Sequence, residues 1–347
     1  MIYRNVYLHS IHYELPPVVV RSSDLEQQLA PLYQALHIQP GQLEALTGIR
    51  ERRWWQPGMP LSQGAIAAGR KALNASGMAP QDIGALVYTS VCRELFEPAT
   101  ACRVADGLGI GGDALIYDIS NACLGVLNGI LDIANRIELG QIRAGMVVSC
   151  ESARELNETV IRRLLARKEM AFFVRSVATL TGGSGAVALI LTDGSFDIEE
   201  QHRLLGGAAQ SAPQHHELCR WGLKNLDADR FEQFMSTDAV AVMHNGVALG
   251  KQTWQRFLAR LQWQTDAVDR VVCHQVGSAH QKEILTSLAI PVEKDFTTFS
   301  FLGNIGTVSL PITAAIADER GLLEQGQKVA FLGIGSGLNC MMLGVEW

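Results

Sequence analysis

The stretch Ala114-Leu-Ile-Tyr-Asp-Ile-Ser-Asn-Ala-Cys-Leu-Gly-Val-Leu-Asn-Gly-Ile130 joins an apolar strand pattern to a helical pattern across a turn of small residues. The strand pattern covers 114–119 and the helical pattern covers 124–139, which predicts a strand–turn–helix unit of an α/β protein. Cys123 lies at the first turn of that helix, where unpaired backbone N–H groups and the helix dipole stabilise an anion. We therefore expect a nucleophilic thiol with a lowered pKa, although a free cysteine is more often a small buried apolar residue.

Two other apolar strand patterns end in residues of catalytic type. The stretch Asp269-Arg-Val-Val-Cys-His-Gln-Val-Gly277 predicts a buried strand that ends in His274. The stretch Phe301-Leu-Gly-Asn-Ile-Gly-Thr-Val-Ser-Leu-Pro311 predicts a glycine-flanked turn that carries Asn304 and leads into a helix. Because ligands bind at the carboxyl ends of strands in α/β sheets, we expect His274 and Asn304 to lie near Cys123. His274 taken alone also fits a hydrogen-bonded core histidine.

The order of the elements repeats once along the chain. Each copy follows the order β-α-β-α-β, and its strands are continuous apolar runs, which are typical of parallel strands buried on both faces. This pattern predicts an N-terminal half, 1–195, with the nucleophile, and a C-terminal half, 196–347, with the histidine and the asparagine. The segments 153–180 and 198–255 lie outside the repeat and are interpreted as helix-like walls of a substrate channel. The apolar strands of the two copies are 84–90, 114–119, 145–150 and 186–191, then 270–274, 329–333 and 341–345.

The composition fits a soluble enzyme with a large core. Of the 347 residues, 48% are hydrophobic and 18% are charged, which is ample for two domains or two halves. The net charge of −6 gives no support for nucleic-acid binding. The chain opens without a signal-peptide pattern and has no run of about 18 apolar residues. We therefore expect a cytoplasmic protein without an integral membrane segment.

The cysteines and histidines predict neither a disulfide framework nor a metal site. The seven cysteines include no Cys-x-x-Cys pair. Cys150 and Cys273 fall in apolar strand patterns and are interpreted as inert core thiols. His215 and His216 are neighbours in sequence without a third ligand at metal spacing, so we interpret them as surface or loop residues.

Six short motifs follow one another along the chain. They are Thr47-Gly-Ile-Arg-Glu-Arg-Arg53, Asn121-Ala-Cys123, Gly182-Gly-Ser-Gly-Ala-Val-Ala188, His274-Gln275, Gly303-Asn304 and Gly333-Ile-Gly-Ser-Gly-Leu-Asn339. In this order they resemble the ketoacyl synthase III branch of the thiolase superfamily. The resemblance implies the thiolase fold, a five-layered α-β-α-β-α arrangement built from two pseudo-repeated βαβαβ halves. It also implies a triad of Cys123, His274 and Asn304, an oxyanion hole made by the backbone N–H groups of Cys123 and Ser336, and a homodimer.

Glu97 distinguishes this chain from many initiating synthases. Those enzymes carry Phe-Pro on a loop that reaches the partner subunit, whereas this chain has Glu97-Pro98, 26 residues before Cys123. A malonyl donor creates its carbanion by losing carbon dioxide, but a plain acyl thioester must lose an α-proton to a base. Glu97 and the C-terminal motif therefore resemble the OleA-type synthases of long-chain olefin biosynthesis. The alternative is that Glu97 caps a helix that begins at Pro98.

The motif that begins at Thr47 carries a basic and aromatic cluster. Arg50, Arg52 and Arg53 stand beside two tryptophans, and arginine pairs with phosphate and stacks on rings. The cluster is interpreted either as a solvated edge or as the mouth of a site for the phosphates and adenine of coenzyme A. Initiating synthases carry a tryptophan and an arginine near this motif to hold adenine, but the aligned positions here are Gln42 and Leu46.

The resemblance implies a condensing acyltransferase that joins two fatty acyl thioesters by a non-decarboxylative Claisen condensation. An acyl-enzyme on Cys123 is the expected intermediate, and a 2-alkyl-3-ketoacyl compound is the expected product. Acyl-CoA or acyl-ACP is the expected substrate, with no metal and no tightly bound cofactor, and acyl carrier protein and downstream enzymes are further candidate partners. One alternative is a 3-oxoacyl-ACP synthase III, which condenses acyl-CoA with malonyl-ACP. Another is a non-catalytic acyl-binding subunit of a synthase heterodimer, which the complete triad disfavours.

Overall fold

The computed structural model describes residues 1–196, 201–227 and 230–347. The strands are β1 (Tyr7–Glu14), β2 (Val18–Arg21), β3 (Glu51–Trp54), β4 (Ala85–Thr89), β5 (Leu115–Ile119), β6 (Ala144–Glu151), β7 (Gly185–Thr192), β8 (His202–Ser211), β9 (Cys219–Asp227), β10 (Arg230–Thr237), β11 (Arg270–Cys273), β12 (Lys328–Gly335) and β13 (Asn339–Glu346). The α-helices are α1 (Ser22–Gln28), α2 (Ala30–Leu36), α3 (Gln42–Thr47), α4 (Leu61–Ser76), α5 (Thr100–Leu108), α6 (Gly125–Glu138), α7 (Arg154–Arg167), α8 (Met170–Leu180), α9 (Ala239–Leu261), α10 (Ser278–Ser287), α11 (Phe299–Leu302) and α12 (Ser309–Glu319). The helix predicted over 124–139 is therefore confirmed as α6, to within one residue at each end.

The main sheet has nine strands in the order β11-β12-β13-β8-β1-β7-β6-β4-β5. The first half contributes β5-β4-β6-β7-β1, which is the order 3-2-4-5-1 when these strands are numbered along the chain. The second half contributes β11-β12-β13-β8, and its third strand is reduced to a parallel bridge between Val271 and Asp295 beside β11. With that bridge counted, the second half has the same order, so the internal repeat is visible in the strand topology. The two halves meet where Tyr7 and Leu8 of β1 pair with β8.

The strand directions differ in part from the parallel pairing that the apolar runs predicted. The pairs β4–β5, β4–β6 and β11–β12 are parallel, but β6–β7 and β12–β13 are antiparallel. The reason is that burial on both faces produces a continuous apolar run whatever the strand direction. β7, for example, is buried along its whole length although it runs antiparallel to both of its neighbours.

Helices and strands form five layers, as in the thiolase fold, and three apolar clusters fill the spaces between these layers. α4 and α5 cover the outer face of the first-half strands, and α9 and α10 cover the outer face of the second-half strands. α6 and α12 lie between the two half-sheets and share one core with the inner faces of both. α12 is buried from Ser309 to Ala317, which explains why its sequence is apolar on all sides. The division into two domains at residue 195 stays a prediction.

In the segment 198–255, the helix-like prediction is wrong for the described residues up to 237, which are mostly β-structure, whereas α9 (Ala239–Leu261) confirms the helical pattern after them. Its described residues form β8 and the antiparallel β9–β10 hairpin, and helix begins only at Ala239. In β8 a Cβ atom on Gly207 would lie 1.9 Å from the Met342 carbonyl oxygen, so glycine serves close strand pairing there. The segment 153–180 is helical as predicted, in α7 and α8. None of the helices described is long and apolar enough to cross a bilayer.

Candidate active site

Cys123 lies in a tight elbow between β5 and α6. Ala122 adopts a left-handed conformation with φ +45°, which turns the chain sharply just before the cysteine. The Leu124 N–H donates to the Asn121 carbonyl at 2.9 Å, and the Gly125 N–H donates to the Ala122 carbonyl at 3.3 Å. The elbow therefore holds the half-buried thiol directly before the first turn of α6, one residue ahead of the helix cap at Leu124.

The protonation of the thiol differs from the expectation. Burial raises the pKa of Cys123 to about 12, and the neighbouring groups of Cys219 and Glu151 raise it further, whereas its own backbone N–H acts to lower it. Desolvation of the charged form thus outweighs the hydrogen bond from the residue's own N–H in the unliganded protein. The predicted lowering of the pKa is wrong for this state, and the thiol is neutral near pH 7.

Asn304 lies in a turn that is clamped to the glycine-rich segment before β7. Its backbone N–H donates to the Thr181 carbonyl at 3.0 Å, and its carbonyl accepts from the Gly183 N–H at 2.9 Å. A Cβ atom on Gly183 would lie 2.1 Å from the Leu302 carbonyl oxygen, so only glycine permits this approach. The Asn304 Oδ1 atom accepts from the Gly306 N–H at 3.1 Å. This bond assigns the oxygen of the side-chain amide, and the NH₂ group has no hydrogen-bond partner among the residues that the structure describes.

The segment Asn304–Ser309 connects the three predicted triad residues. Thr307 Oγ1 accepts a 2.7 Å hydrogen bond from the N–H of Val126, in the first turn of α6, three residues after Cys123. Ser309 Oγ lies 2.6 Å from Nδ1 of His274. One short segment therefore supplies Asn304, caps the helix that follows the cysteine and holds the histidine ring.

His274 continues the sheet beyond β11 and is buried. Its backbone N–H donates to the Leu332 carbonyl at 2.9 Å, and the residue is 5% exposed. Burial lowers its pKa to about 3, and the nearby His280 contributes to the shift. Since desolvation disfavours the charged form, the imidazole is neutral at physiological pH.

Ser336 lies in the turn between β12 and β13, next to the cysteine elbow. A Cβ atom added to Gly335 would lie 3.3 Å from the backbone nitrogen of Cys123, so the glycine allows the turn to approach the elbow closely. The turn is tied to the elbow by Asn339, whose Nδ2 donates to the Asn121 Oδ1 at 3.1 Å. The β12–β13 turn therefore packs against the cysteine elbow, and the oxyanion hole of the Cys123 and Ser336 N–H groups stays a prediction.

Glu97 is exposed on the loop 90–99, between β4 and α5. The start of this loop is anchored by Glu151, a buried carboxylate at the end of β6 that accepts from the N–H groups of Val91 and Cys92 at 3.1 and 3.4 Å. Burial raises the pKa of Glu151. Its side chain also packs against the Asn304 turn, because a Cβ atom on Gly306 would lie 3.3 Å from it. Glu151 therefore links the two loops that carry Glu97 and Asn304.

Arg52 is not available to a ligand, which corrects the coenzyme A interpretation for this residue. It is 1% exposed and donates to the Val20 and Leu180 carbonyls and to Ser22 Oγ. Arg53 is half-buried and donates to the Pro16 carbonyl, and Arg50 is exposed. The adjacent tryptophans are buried and donate inward, Trp54 to the Gly182 carbonyl and Trp55 to the Glu151 carbonyl. Arg52 and Trp54 therefore point into the protein, as alternate residues of a strand do, and they donate to the carbonyls of Leu180 and Gly182.

The remaining predicted residues lie apart from this region or contribute to cores. Gln42 and the exposed Leu46 belong to α3. Cys150 and Cys273 are buried in apolar clusters, which confirms their interpretation as core thiols. His215 ends a short 3₁₀ turn, and His216 is exposed and lies 3.3 Å from the Glu217 carboxylate.

Sequence reasoning missed Thr307, Ser309 and Glu151. Thr307 and Ser309 follow Asn304 within the quoted motif, and polar residues in an otherwise apolar run are the signal that could have identified them. Glu151 directly follows the apolar strand 145–150, so the carboxyl-edge rule applied equally to it. Nothing in the sequence shows which of these side chains face one another.

Two kinds of comparison bear on this site. A model of the C-terminal domain of 3-oxoacyl-[acyl-carrier-protein] synthase III matches residues 258–347, which include His274, Asn304 and Ser336. The crystal structure of OleA from Xanthomonas campestris with bound cerulenin superposes with a TM-score of 0.94 at 33% identity, covering 100% of this chain and 98% of that one. A cysteine-to-serine variant of the same OleA, with bound lauric acid and lauroyl-CoA, superposes with a TM-score of 0.93 and covers 100% of both chains. The fold is therefore that of a thiolase-superfamily condensing enzyme.

Full-length relatives narrow this class. The acyl-CoA:acyl-CoA alkyltransferase of Shewanella oneidensis is 58% identical over 100% of both chains. The acyl-CoA:acyl-CoA alkyltransferase of Xanthomonas campestris is 33% identical, again over 100% of both. The chain belongs to the OleA family of acyl-CoA:acyl-CoA alkyltransferases.

Proposed function

We propose that this protein joins two fatty acyl-CoA molecules by a non-decarboxylative Claisen condensation and releases a 2-alkyl-3-ketoacyl-CoA. The observation that carries the proposal is the segment Asn304–Ser309, which binds the first turn of α6 through Thr307 and the ring of His274 through Ser309. These two contacts support a site in which Cys123, the neutral imidazole of His274 and the amide NH₂ group of Asn304 act together. The names of the full-length relatives support acyl-CoA as both substrates.

The first step is transfer of an acyl group to Cys123. The sulfur attacks the thioester carbonyl, the bond between that carbonyl carbon and the sulfur of coenzyme A breaks, and the thiol proton leaves with coenzyme A as its free thiol. The N–H groups of Cys123 and Ser336 are the proposed donors to the oxyanion. Because burial raises the pKa of the free thiol, we expect proton loss to accompany the attack of the sulfur.

The second step forms the carbon–carbon bond. Glu97 removes the α-proton of a second acyl-CoA, and the Nε2–H of His274 and the NH₂ group of Asn304 donate to the enolate oxygen. The α-carbon attacks the acyl-enzyme, and Cys123 leaves as a thiolate that recovers a proton. We infer that Glu97 acts in the site of a partner subunit. The exposed apolar residues that precede it, Phe96 at 92% and Leu95 at 58%, support contact of this loop with a second copy.

A second candidate is decarboxylative condensation with malonyl-ACP, because the model that matches residues 258–347 describes 3-oxoacyl-ACP synthase III. The two activities share the triad and differ in the source of the carbanion. Only the acyl-CoA reaction needs Glu97 as a base.

The test supplies purified protein with myristoyl-CoA alone and, separately, with acetyl-CoA and malonyl-ACP, and the products are followed by mass spectrometry. We expect free coenzyme A and a 2-alkyl-3-ketoacyl product from myristoyl-CoA alone. Turnover of malonyl-ACP, with none of myristoyl-CoA alone, would transfer the assignment to the second candidate.

A further inference from the structure

Ser309 is a buried serine at the start of α12, and it contacts the Nδ1 edge of the His274 ring. It is 0% exposed, and its Oγ lies 2.6 Å from Nδ1 of His274. A neutral imidazole carries one proton, on either Nδ1 or Nε2, and the partner of one nitrogen decides which. Ser309 is therefore placed to choose the tautomer of His274.

The direction of the Ser309–His274 hydrogen bond follows from the other partner of the serine. Ser309 Oγ also lies 3.4 Å from the backbone N–H of Gln275, which can only donate. In the described parts of the chain, His274 Nδ1 is then the one acceptor within reach of the hydroxyl proton. If Nδ1 carried the proton instead, two N–H groups would donate to Oγ, and the buried hydroxyl would have no acceptor.

Three hydrogen bonds of the Gln275 side chain fix this residue, and they thereby keep its backbone N–H directed at the serine. Its Nε2 donates to the Cys273 carbonyl at 2.8 Å, and its Oε1 accepts from the N–H groups of Thr298 and Phe299 at 3.0 and 3.2 Å. The backbone of Ser309 is fixed in turn by Thr313, whose hydroxyl donates to the Ser309 carbonyl at 2.7 Å.

We propose that Ser309 is a positioning residue that donates to Nδ1 of His274 and so fixes the proton on Nε2, which makes the histidine a hydrogen-bond donor to substrate and prevents it from acting as the base for Cys123. The catalytic consequence rests on the proposed condensation, but the tautomer does not. Gly306 performs the corresponding task for Asn304, because its N–H assigns the amide oxygen and leaves the NH₂ group as a donor. One six-residue segment thus presets two donors for one oxygen atom.

The first measurement is the tautomer of His274 in the unliganded protein, read from long-range ¹H–¹⁵N correlations of the imidazole. The His274→Gln variant identifies the signals by their loss. We expect a protonated Nε2 and an unprotonated Nδ1 in the wild type. A protonated Nδ1 there would overturn the proposal, and the tautomer itself is read from the wild-type protein.

The second measurement compares Ser309→Ala with Ser176→Ala. Ser176 is also a buried helical serine, but its hydroxyl donates to the Phe172 carbonyl of its own helix. In Ser309→Ala we expect a mixed or reversed tautomer, near-normal acylation of Cys123 by acyl-CoA, and condensation slowed roughly 10- to 100-fold. That loss is smaller than the roughly 10²–10³-fold that follows removal of one oxyanion donor outright. In Ser176→Ala we expect neither the tautomer nor the rate to change.

The outcomes separate this inference from the proposed function. An unchanged tautomer in Ser309→Ala overturns the role of Ser309, even where condensation of acyl-CoA proceeds. A tautomer that depends on Ser309, in a protein that does not condense acyl-CoA, supports the positioning role and rejects the proposed function.

Discussion

The loops that follow the second strand of each half occupy equivalent places in the repeat but differ in length and burial. After β4, ten residues, 90–99, precede α5, and Glu97 is exposed on them. After β11, four residues, 274–277, precede α10, and His274 is buried at their start. The short loop holds a neutral imidazole against the core, whereas the long loop exposes a carboxylate at the protein surface.

The second pair of equivalent places carries Cys123 and Asn304. Each residue precedes a central helix, but α6 begins two residues after the cysteine and α12 begins five residues after the asparagine. The extra residues include the 3₁₀ turn Gly306–Val308. Thr307 in this turn contacts α6, and Ser309 directly after it contacts His274. The two halves therefore share one arrangement of strands and helices, and they differ in the lengths of the loops that carry the predicted site residues.

The largest expected effect separates Cys123 from its counterpart Asn304. Cys123→Ser should reduce acyl transfer by roughly 10⁴-fold or more, because a hydroxyl is far less often ionised than a thiol. Asn304→Ala should still form the acyl-enzyme and fail in condensation. Intact-protein mass spectrometry after mixing with acyl-CoA measures the adduct, and Cys102→Ser, at an exposed cysteine, is the control. An adduct on Cys123→Ser at the wild-type rate, or on another cysteine, contradicts the assignment.

The next effect concerns Glu97, the counterpart of His274. Glu97→Gln should form the acyl-enzyme normally and then condense two acyl-CoA molecules about 10²–10⁴-fold more slowly, because an amide cannot accept the α-proton. Single-turnover rates of acylation and condensation separate the two steps. Glu324→Gln, at an exposed site in the loop before β12, is the matched control. Near-normal condensation by Glu97→Gln would rule out the base.

Co-expression of two inactive variants tests whether Glu97 acts across a dimer. A mixed pair of Cys123→Ser and Glu97→Gln chains has one site with a wild-type cysteine from one chain and a wild-type glutamate from the other. Random pairing should then restore about a quarter of the wild-type activity, provided that the protein is a two-fold dimer. No recovery in verified mixed dimers would place Glu97 in the site of its own chain.

A smaller effect is expected at the turn beside the nucleophile. Gly335→Ala would put a Cβ atom 3.3 Å from the Cys123 nitrogen and should crowd any oxygen bound there. We expect both acylation and condensation to slow by roughly 10- to 10²-fold, less than complete loss of a donor. Gly111→Ala is the control, since an added Cβ there meets no atom within 4 Å. Equal rates in both variants would remove the Cys123 N–H from the oxyanion hole.

Most strands and helices, and the candidate residues Cys123 and His274 at their ends, could be predicted because each lies within a short stretch of sequence. The strand–turn–helix at Cys123 and the strand ending in His274 each lie within one short pattern, and the structure contains both. The β9–β10 hairpin and the inward direction of Arg52 were missed because tertiary contacts decide them. The raised pKa of Cys123 was missed for a related reason, since burial is set by residues distant in sequence.

The smallest catalytic effect is expected at Arg52, behind the Asn304 turn, and it contrasts two arginines of one motif. Arg52→Met should lower the free energy of unfolding by about 2–4 kcal/mol, because the buried acceptors Val20, Ser22 and Leu180 lose their donor. Arg50→Met, at an exposed site, should change it by no more than about 0.5 kcal/mol. Urea unfolding followed by tryptophan fluorescence measures both. The KM for acyl-CoA should stay within roughly two-fold in Arg52→Met wherever the variant is folded. A stable Arg52→Met variant with a raised KM would show that this guanidinium reaches the phosphates of coenzyme A.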